Sequence, residues 1–148
     1  MSSENNLLPL PDTLLRPMVE QALSEDLGRR GDVTSAAVIA PDKTAKLFLV
    51  SRKDGVIAGM DLARLAFQTM DPSVRFQAEI QDGQAVCAGQ TLATIAGNAR
   101  ALLAAERTAL NYLTHLSGIA TATARAVAEV AGYNVDIVCS RKTIPMLR

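Results

Sequence analysis

Arg141 and Lys142 stand side by side just after 134–138, a short run in which Val135, Ile137 and Val138 supply the apolar side chains. That run reads as a strand, so the two cations sit where it ends. Arginine offers a planar fork that grips a carboxylate bidentately, whereas lysine acts as a compact point charge. Ser140, next to them, adds a hydroxyl. In α/β barrels substrates bind at the C-terminal ends of the strands, and a paired Arg-Lys at such a place suits an anionic ligand. A barrel needs roughly 200 residues or more, and only one strand of it is expected here. The 148 residues therefore read as the front part of an enzyme.

A second set of candidate groups lies on a helix expected over 99–116, with Asn98 as its cap. At about 100° per residue, Leu102, Leu103, Ala109, Leu110, Leu113 and Leu116 occupy one half of the wheel, and Arg100, Ala104, Arg107, Thr108, Asn111 and His115 the other. Arg100, Arg107 and Asn111 form a stripe, and the small Ala104 between them leaves room for a ligand to approach. Spacing alone describes a solvated helix face better. Glu106 falls inside the apolar half, where a carboxylate must be paired or hydrogen-bonded. His115, on the polar flank, reads as a surface residue rather than a catalytic base.

These groups need elements to hold them. Residues 1–12 read as a loose leader. Pro17 suits the first turn of a helix in which Met18, Val19, Ala22, Leu23 and Leu27 recur at helical spacing, with Gly28 as the stop. Strands are expected over 43–51 and 55–58, then a helix capped by Asp61 and containing Leu62, Leu65, Ala66 and Met70. Val74, Phe76, Ala78 and Ile80 alternate with polar residues, which buries one strand face. A turn at 81–84 leads to short strands over 85–87 and 91–95. This β-rich block resembles the sandwich of biotinyl and lipoyl carriers, but its hairpin tip is Asp82-Gly83 and lacks the lysine such carriers need. Ser117-Gly118 is expected to break the long helix. An Ala-rich helix over 121–131 follows, closed by Gly132.

Composition narrows the classes. Fifteen basic and fifteen acidic residues give zero formal net charge, which argues against a general nucleic-acid binder. The only cysteines, Cys87 and Cys139, fall inside expected strands and read as small buried hydrophobes, with no zinc or disulfide pattern. The N-terminus does not have the pattern of a signal peptide, and no stretch approaches the ~20 apolar residues of a membrane span. A soluble, cytoplasmic protein is expected.

Several segments together carry a resemblance. They are Glu106-Arg107-Thr108-Ala109-Leu110-Asn111-Tyr112-Leu113 with Ser117-Gly118-Ile119-Ala120-Thr121; Glu25-Asp26-Leu27-Gly28 with Gly31-Asp32-Val33-Thr34; Gly55-Val56-Ile57-Ala58-Gly59; and Asp82-Gly83 followed by Gly89. Ser140-Arg141-Lys142-Thr143-Ile144-Pro145-Met146-Leu147-Arg148 is similar to a family Thr-Arg-Lys-Thr-Thr-Pro-Gly-Leu-Arg run, with Ser140 keeping a hydroxyl and Ile144 and Met146 departing from it. Over about residues 14–148 the chain resembles quinolinate phosphoribosyltransferase, or nicotinate-nucleotide pyrophosphorylase (carboxylating).

The resemblance implies an α+β fold. A helix-plus-β-sandwich domain would occupy 13–116, and 117–148 would begin an open, TIM-like α/β barrel that is truncated after its first helices and strand. It implies a homodimer with shared active sites. The reaction would be transfer of phosphoribose from 5-phosphoribosyl 1-diphosphate to quinolinate, giving nicotinate mononucleotide, diphosphate and carbon dioxide on the route to NAD. Magnesium would enter with the diphosphate substrate, its ligands outside this chain. Arg107 from one subunit, with Ser140 and Arg141 of the other, would hold the carboxylates, and Lys142 would offset the phosphorylated sugar. Arg141 and Lys142 would be the catalytic pair. The chain by itself is expected to be inactive. The alternatives are a same-fold relative associated with molybdenum transport and a non-catalytic dimerisation piece.

Overall fold

The computed structural model describes residues 10–143. Its elements in chain order are α1 (Asp12–Leu27), α2 (Val33–Val38), β1 (Thr44–Val50), β2 (Gly55–Val56), α3 (Met60–Met70), β3 (Arg75–Ala78), β4 (Ala85–Val86), β5 (Thr91–Asn98) and α4 (Ala99–Glu129). The expected mixture of helix and sheet is present. The strands form an antiparallel sheet in the order β1-β5-β3 and a separate antiparallel pair, β2-β4.

Burial explains the layering. Along β1, Ala45, Leu47 and Leu49 turn inward while Lys46, Phe48 and Val50 face solvent. Helices α1, α3 and α4 close over the inner face, where Val19, Leu65, Phe67, Ile95 and Leu102 are almost fully buried. A second cluster, including Ile57, Met60, Val86, Leu92 and Leu113, joins the two sheets to α4. Ala78 shares its row with the inward Leu49 and Ala93, yet it is exposed because β3 is an edge strand.

The structure corrects several expectations. Helix α1 starts at Asp12, so Pro17 lies inside it rather than in its first turn. Buried Leu15 and the Asp12–Arg64 ion pair, 2.6 Å, hold the turns ahead of the proline. Helix α3 is not capped by Asp61, which pairs with Arg64 instead. Its N-cap is Gly59, at φ 103°, and the capping carboxylate comes from Asp82, which accepts from the Gly59 and Met60 N–H groups at 2.8 and 3.0 Å. A side chain at Gly59 would also meet Leu116 of α4 at 3.0 Å.

Helix α4 runs unbroken through Ser117-Gly118. The Ser117 hydroxyl accepts from the Ala58 N–H (3.0 Å), and the Thr121 hydroxyl accepts from the Val56 N–H (2.9 Å). These bonds to β2 and the residues after it hold the helix where glycine weakens it. Its buried face is Leu102, Ala105, Ala109 and Leu113, flanked by Ala104 and Thr108; Glu106 and Leu103 are exposed. The covered arc is turned relative to the expected one because α2 packs beside Ala104. No strand forms over 134–138, since no neighbouring strand is available among the described residues to take its backbone hydrogen bonds. Both cysteines are exposed, Cys87 just past β4 and Cys139 in this irregular segment. Ile144 and Met146 lie outside the described residues.

Candidate functional site

The stripe on α4 divides into two roles. Arg100 is consumed structurally: its guanidinium donates to the Ile39 carbonyl from both Nε and Nη2, and from Nη2 to Ala36 O, so it closes the C-terminal end of α2. The other end of α2 is capped by Asp32, which accepts from the Ser35 N–H at 2.9 Å. Hydrogen bonds from Ser35 hold the Asp32 carboxyl below the usual range, and the charge of Arg107 adds to this.

Arg107 is oriented differently. Its Nη1 donates to Asp26 Oδ1 at 2.8 Å, with the arginine side chain 73% exposed and the aspartate side chain 20%. Asp26 lies in the last turn of α1, before Gly28 at φ 54°. The helix therefore ends on two acids, Glu25 and Asp26, with no basic residue in its last turn. Carboxylates there oppose the helix dipole.

Between α1, α4 and residues 139–143 lies a cavity of about 1170 Å³. Glu25, Asp26, Asn111, His115 and Lys142 give it polar walls, and Leu62 and Leu116 are among its apolar ones. The Tyr112 hydroxyl also lies there and donates to Met18 O at 3.0 Å; burial, then the charge of Glu25, raises its pKa.

Of the site residues named from sequence, Lys142 and Asn111 reach this cavity, and Arg107 pairs with one of its walls through Asp26. Ser140 and Arg141 do not line it, and both are exposed. Lys142 N–H points to Ser140 Oγ at 3.4 Å, while Arg141 N–H lies 3.2 Å from Cys139 Sγ, with Arg141 itself at φ 60°. No site role is read for Asp26 from the sequence, where its signals are an acid at the C-terminal end of a helix and its place in Glu25-Asp26-Leu27-Gly28. His115 is exposed, as read, but it also lines the cavity. Among the described residues no group of three or more His, Cys, Asp or Glu could hold a metal ion. No helix there is long and apolar enough to cross a membrane.

The structure is that of a mixed helix–sheet domain, with Arg107 exposed on α4 and Lys142 on the wall of the cavity. The comparisons give its family. Residues 32–117 match the family model for the quinolinate phosphoribosyl transferase, N-terminal domain, and the chain belongs to that family. It is 42% identical over 138 residues to a probable nicotinate-nucleotide pyrophosphorylase [carboxylating] of Synechocystis, covering 93% of this chain and 46% of that protein. A quinolinate phosphoribosyltransferase [decarboxylating] of Nicotiana tabacum is 39% identical over 134 residues, with 90% and 38% covered. Among solved structures, NadC from Streptococcus pyogenes superposes with a TM-score of 0.90 at 33% identity, over 95% of this chain and 50% of that one. The chain thus spans less than half the length of these two curated relatives.

Proposed function

We propose that this chain serves carboxylating nicotinate-nucleotide pyrophosphorylase: phosphoribosyl transfer from 5-phosphoribosyl 1-diphosphate to quinolinate, with decarboxylation, yielding nicotinate mononucleotide, diphosphate and carbon dioxide. The observation that carries the reading is the 42% identity to the Synechocystis relative along 93% of this chain. The exposed, half-engaged Arg107 supports it, because quinolinate brings two carboxylates and a guanidinium fork matches one of them.

In this reading Arg107 of one subunit and Arg141 of its partner in a homodimer clamp the two carboxylates, with Ser140 donating to one of them. Lys142 offsets the negative charge of the phosphorylated sugar. The ring nitrogen is thereby aimed at the sugar carbon, and positioning supplies much of the rate. As diphosphate leaves, positive charge builds on that carbon. The carbanion left by decarboxylation sits beside the positive ring nitrogen, so the substrate is its own electron sink, and a proton taken up from water at that carbon completes nicotinate mononucleotide. Magnesium would arrive with the diphosphate substrate and neutralise the leaving group.

The test is a hybrid of this chain with the C-terminal part of the Synechocystis relative. It should release carbon dioxide from carboxyl-labelled quinolinate only when 5-phosphoribosyl 1-diphosphate is present. A hybrid that is folded and dimeric yet leaves quinolinate untouched would refute the reading.

A further inference from the structure

The last turn of α1 breaks a local rule. Glu25 and Asp26 face the negative end of their own helix dipole, and no basic residue of α1 answers them. Such conflicts persist where another requirement outweighs them. Here the answer comes from 81 residues away, from Nη1 of Arg107. The pair is lopsided: the aspartate side chain is only 20% exposed, whereas the arginine side chain is 73% exposed. The acid is therefore fixed by the fold, and the arginine is the long, solvated arm that it steadies. Among the described residues Nη1 is the guanidinium atom with a hydrogen-bond partner, Asp26, while the charge of Arg107 also acts on the Asp32 carboxyl.

We infer that Asp26 is the positioning residue of Arg107: it fixes the guanidinium before an anion arrives and leaves its open edge for that anion. The inference rests on the reading of Arg107 as a carboxylate ligand. A free arginine on a helix surface samples many rotamers and must be ordered on binding. Holding it beforehand removes that cost. Charge alone argues the other way. Asp26 is an anion beside an anion site, so by electrostatics its removal should tighten binding. Orientation and charge thus predict opposite signs, and the sign decides.

The experiment has two readouts, the first on the 148-residue chain and the second on its hybrid with the C-terminal part of the Synechocystis relative. The first is the ¹⁵N–¹H spectrum of the Arg107 guanidinium with no ligand present. In the wild type, hindered rotation should give resolved Nη signals; Asp26→Asn should collapse them, Asp26→Glu should restore them in part, and Glu25→Gln should leave them as they were. Unaltered Arg107 signals in a folded Asp26→Asn chain would overturn the inference. The second is a titration with quinolinate followed at the same resonances. Asp26→Asn should bind more weakly, on the order of 2- to 10-fold, despite the loss of a negative charge. Equal or tighter binding would overturn positioning in favour of simple charge. If quinolinate moves no Arg107 signal even in the wild type, the proposed role of Arg107 in the reaction fails, and the ligand-free spectra still decide the role of Asp26.

Discussion

Removing the Asp82 carboxylate should destabilise the domain more than removing any other acid on its surface. Gly59 begins α3 in the left-handed region and has no side chain with which to cap it. Asp82 reaches over from its turn and accepts from two of the otherwise unpaired N–H groups, at 2.8 and 3.0 Å. A single cap is worth about 1 kcal/mol, and hydrogen bonds to a charged group about 1.5–3 kcal/mol. Asp82 is exposed, so water replaces part of the loss; Asp82→Ala should cost about 2 kcal/mol. At roughly 2–4 °C per kcal/mol for a chain of this size, Tm should fall by about 4–8 °C. Asp61→Ala is the control. Asp61 precedes Arg64 on the same helix and lies 3.2 Å from it in a half-open pair, and Arg64 keeps Asp12 at 2.6 Å. Its loss should cost less than about 0.5 kcal/mol. Thermal and urea unfolding of both variants, fitted to two states, measures the difference. Equal losses, or an Asp82→Ala loss below about 0.5 kcal/mol, would refute the cap argument.

Three further outcomes are expected. The hydrogen bond from Arg64 holds the Asp12 carboxyl below its ordinary value of 3.8, with burial opposing it, so the pair stabilises the fold above about that pH and ceases to as pH falls through the lowered value. Asp12→Asn should therefore be less stable than wild type by under about 1 kcal/mol at pH 7, with the gap closing in acid; a gap that widens in acid would contradict the sign. The 148-residue chain alone should show only background quinolinate-dependent diphosphate release, since it spans 46% of the Synechocystis relative. In the active hybrid dimer, Arg107→Ala and Arg141→Ala should each remove about 2–5 kcal/mol of transition-state binding. Mixing the two under subunit exchange should recover about a quarter of wild-type activity, because about half the dimers are mixed and one of their two sites is intact; no recovery despite proven exchange would place both arginines in one subunit's site.

What the sequence disclosed was what neighbouring residues decide. Asn98 caps α4 through the N–H groups of Arg100 and Ala101, two and three positions on, and the apolar spacing of α1 with its Gly28 stop is equally local. The misread features depend on distant partners. Asp82 caps a helix that starts 22 residues earlier, and Gly118 stays helical because Ser117 and Thr121 bond to backbone more than fifty residues away. Glu106 and Leu103 were placed inward because one helix wheel cannot register that α2 covers a second side of α4. The site divides in the same way. Arg107 could be flagged from its stripe, but the acid that orients it could not, since α1 and α4 meet only in the folded chain.

The length of α4 bears on how the proposed clamp is assembled. From Arg107 to Glu129 the helix rises about 33 Å, at about 1.5 Å per residue. The twelve residues from 130 to 141 span at most about 43 Å when fully extended. Arg141 can return to the level of its own Arg107 only by spending most of that reach, which leaves little freedom to settle against a ligand. Residues 139, 142 and 143 run back along α4, and the cavity they line extends from Thr108 and Asn111, close to Arg107, to His115 and Ile119, about two to three turns beyond it. A second subunit's Arg141 carries no such tether to this α4. The recovery of activity in mixed dimers therefore decides between a clamp within one subunit and the proposed clamp across two.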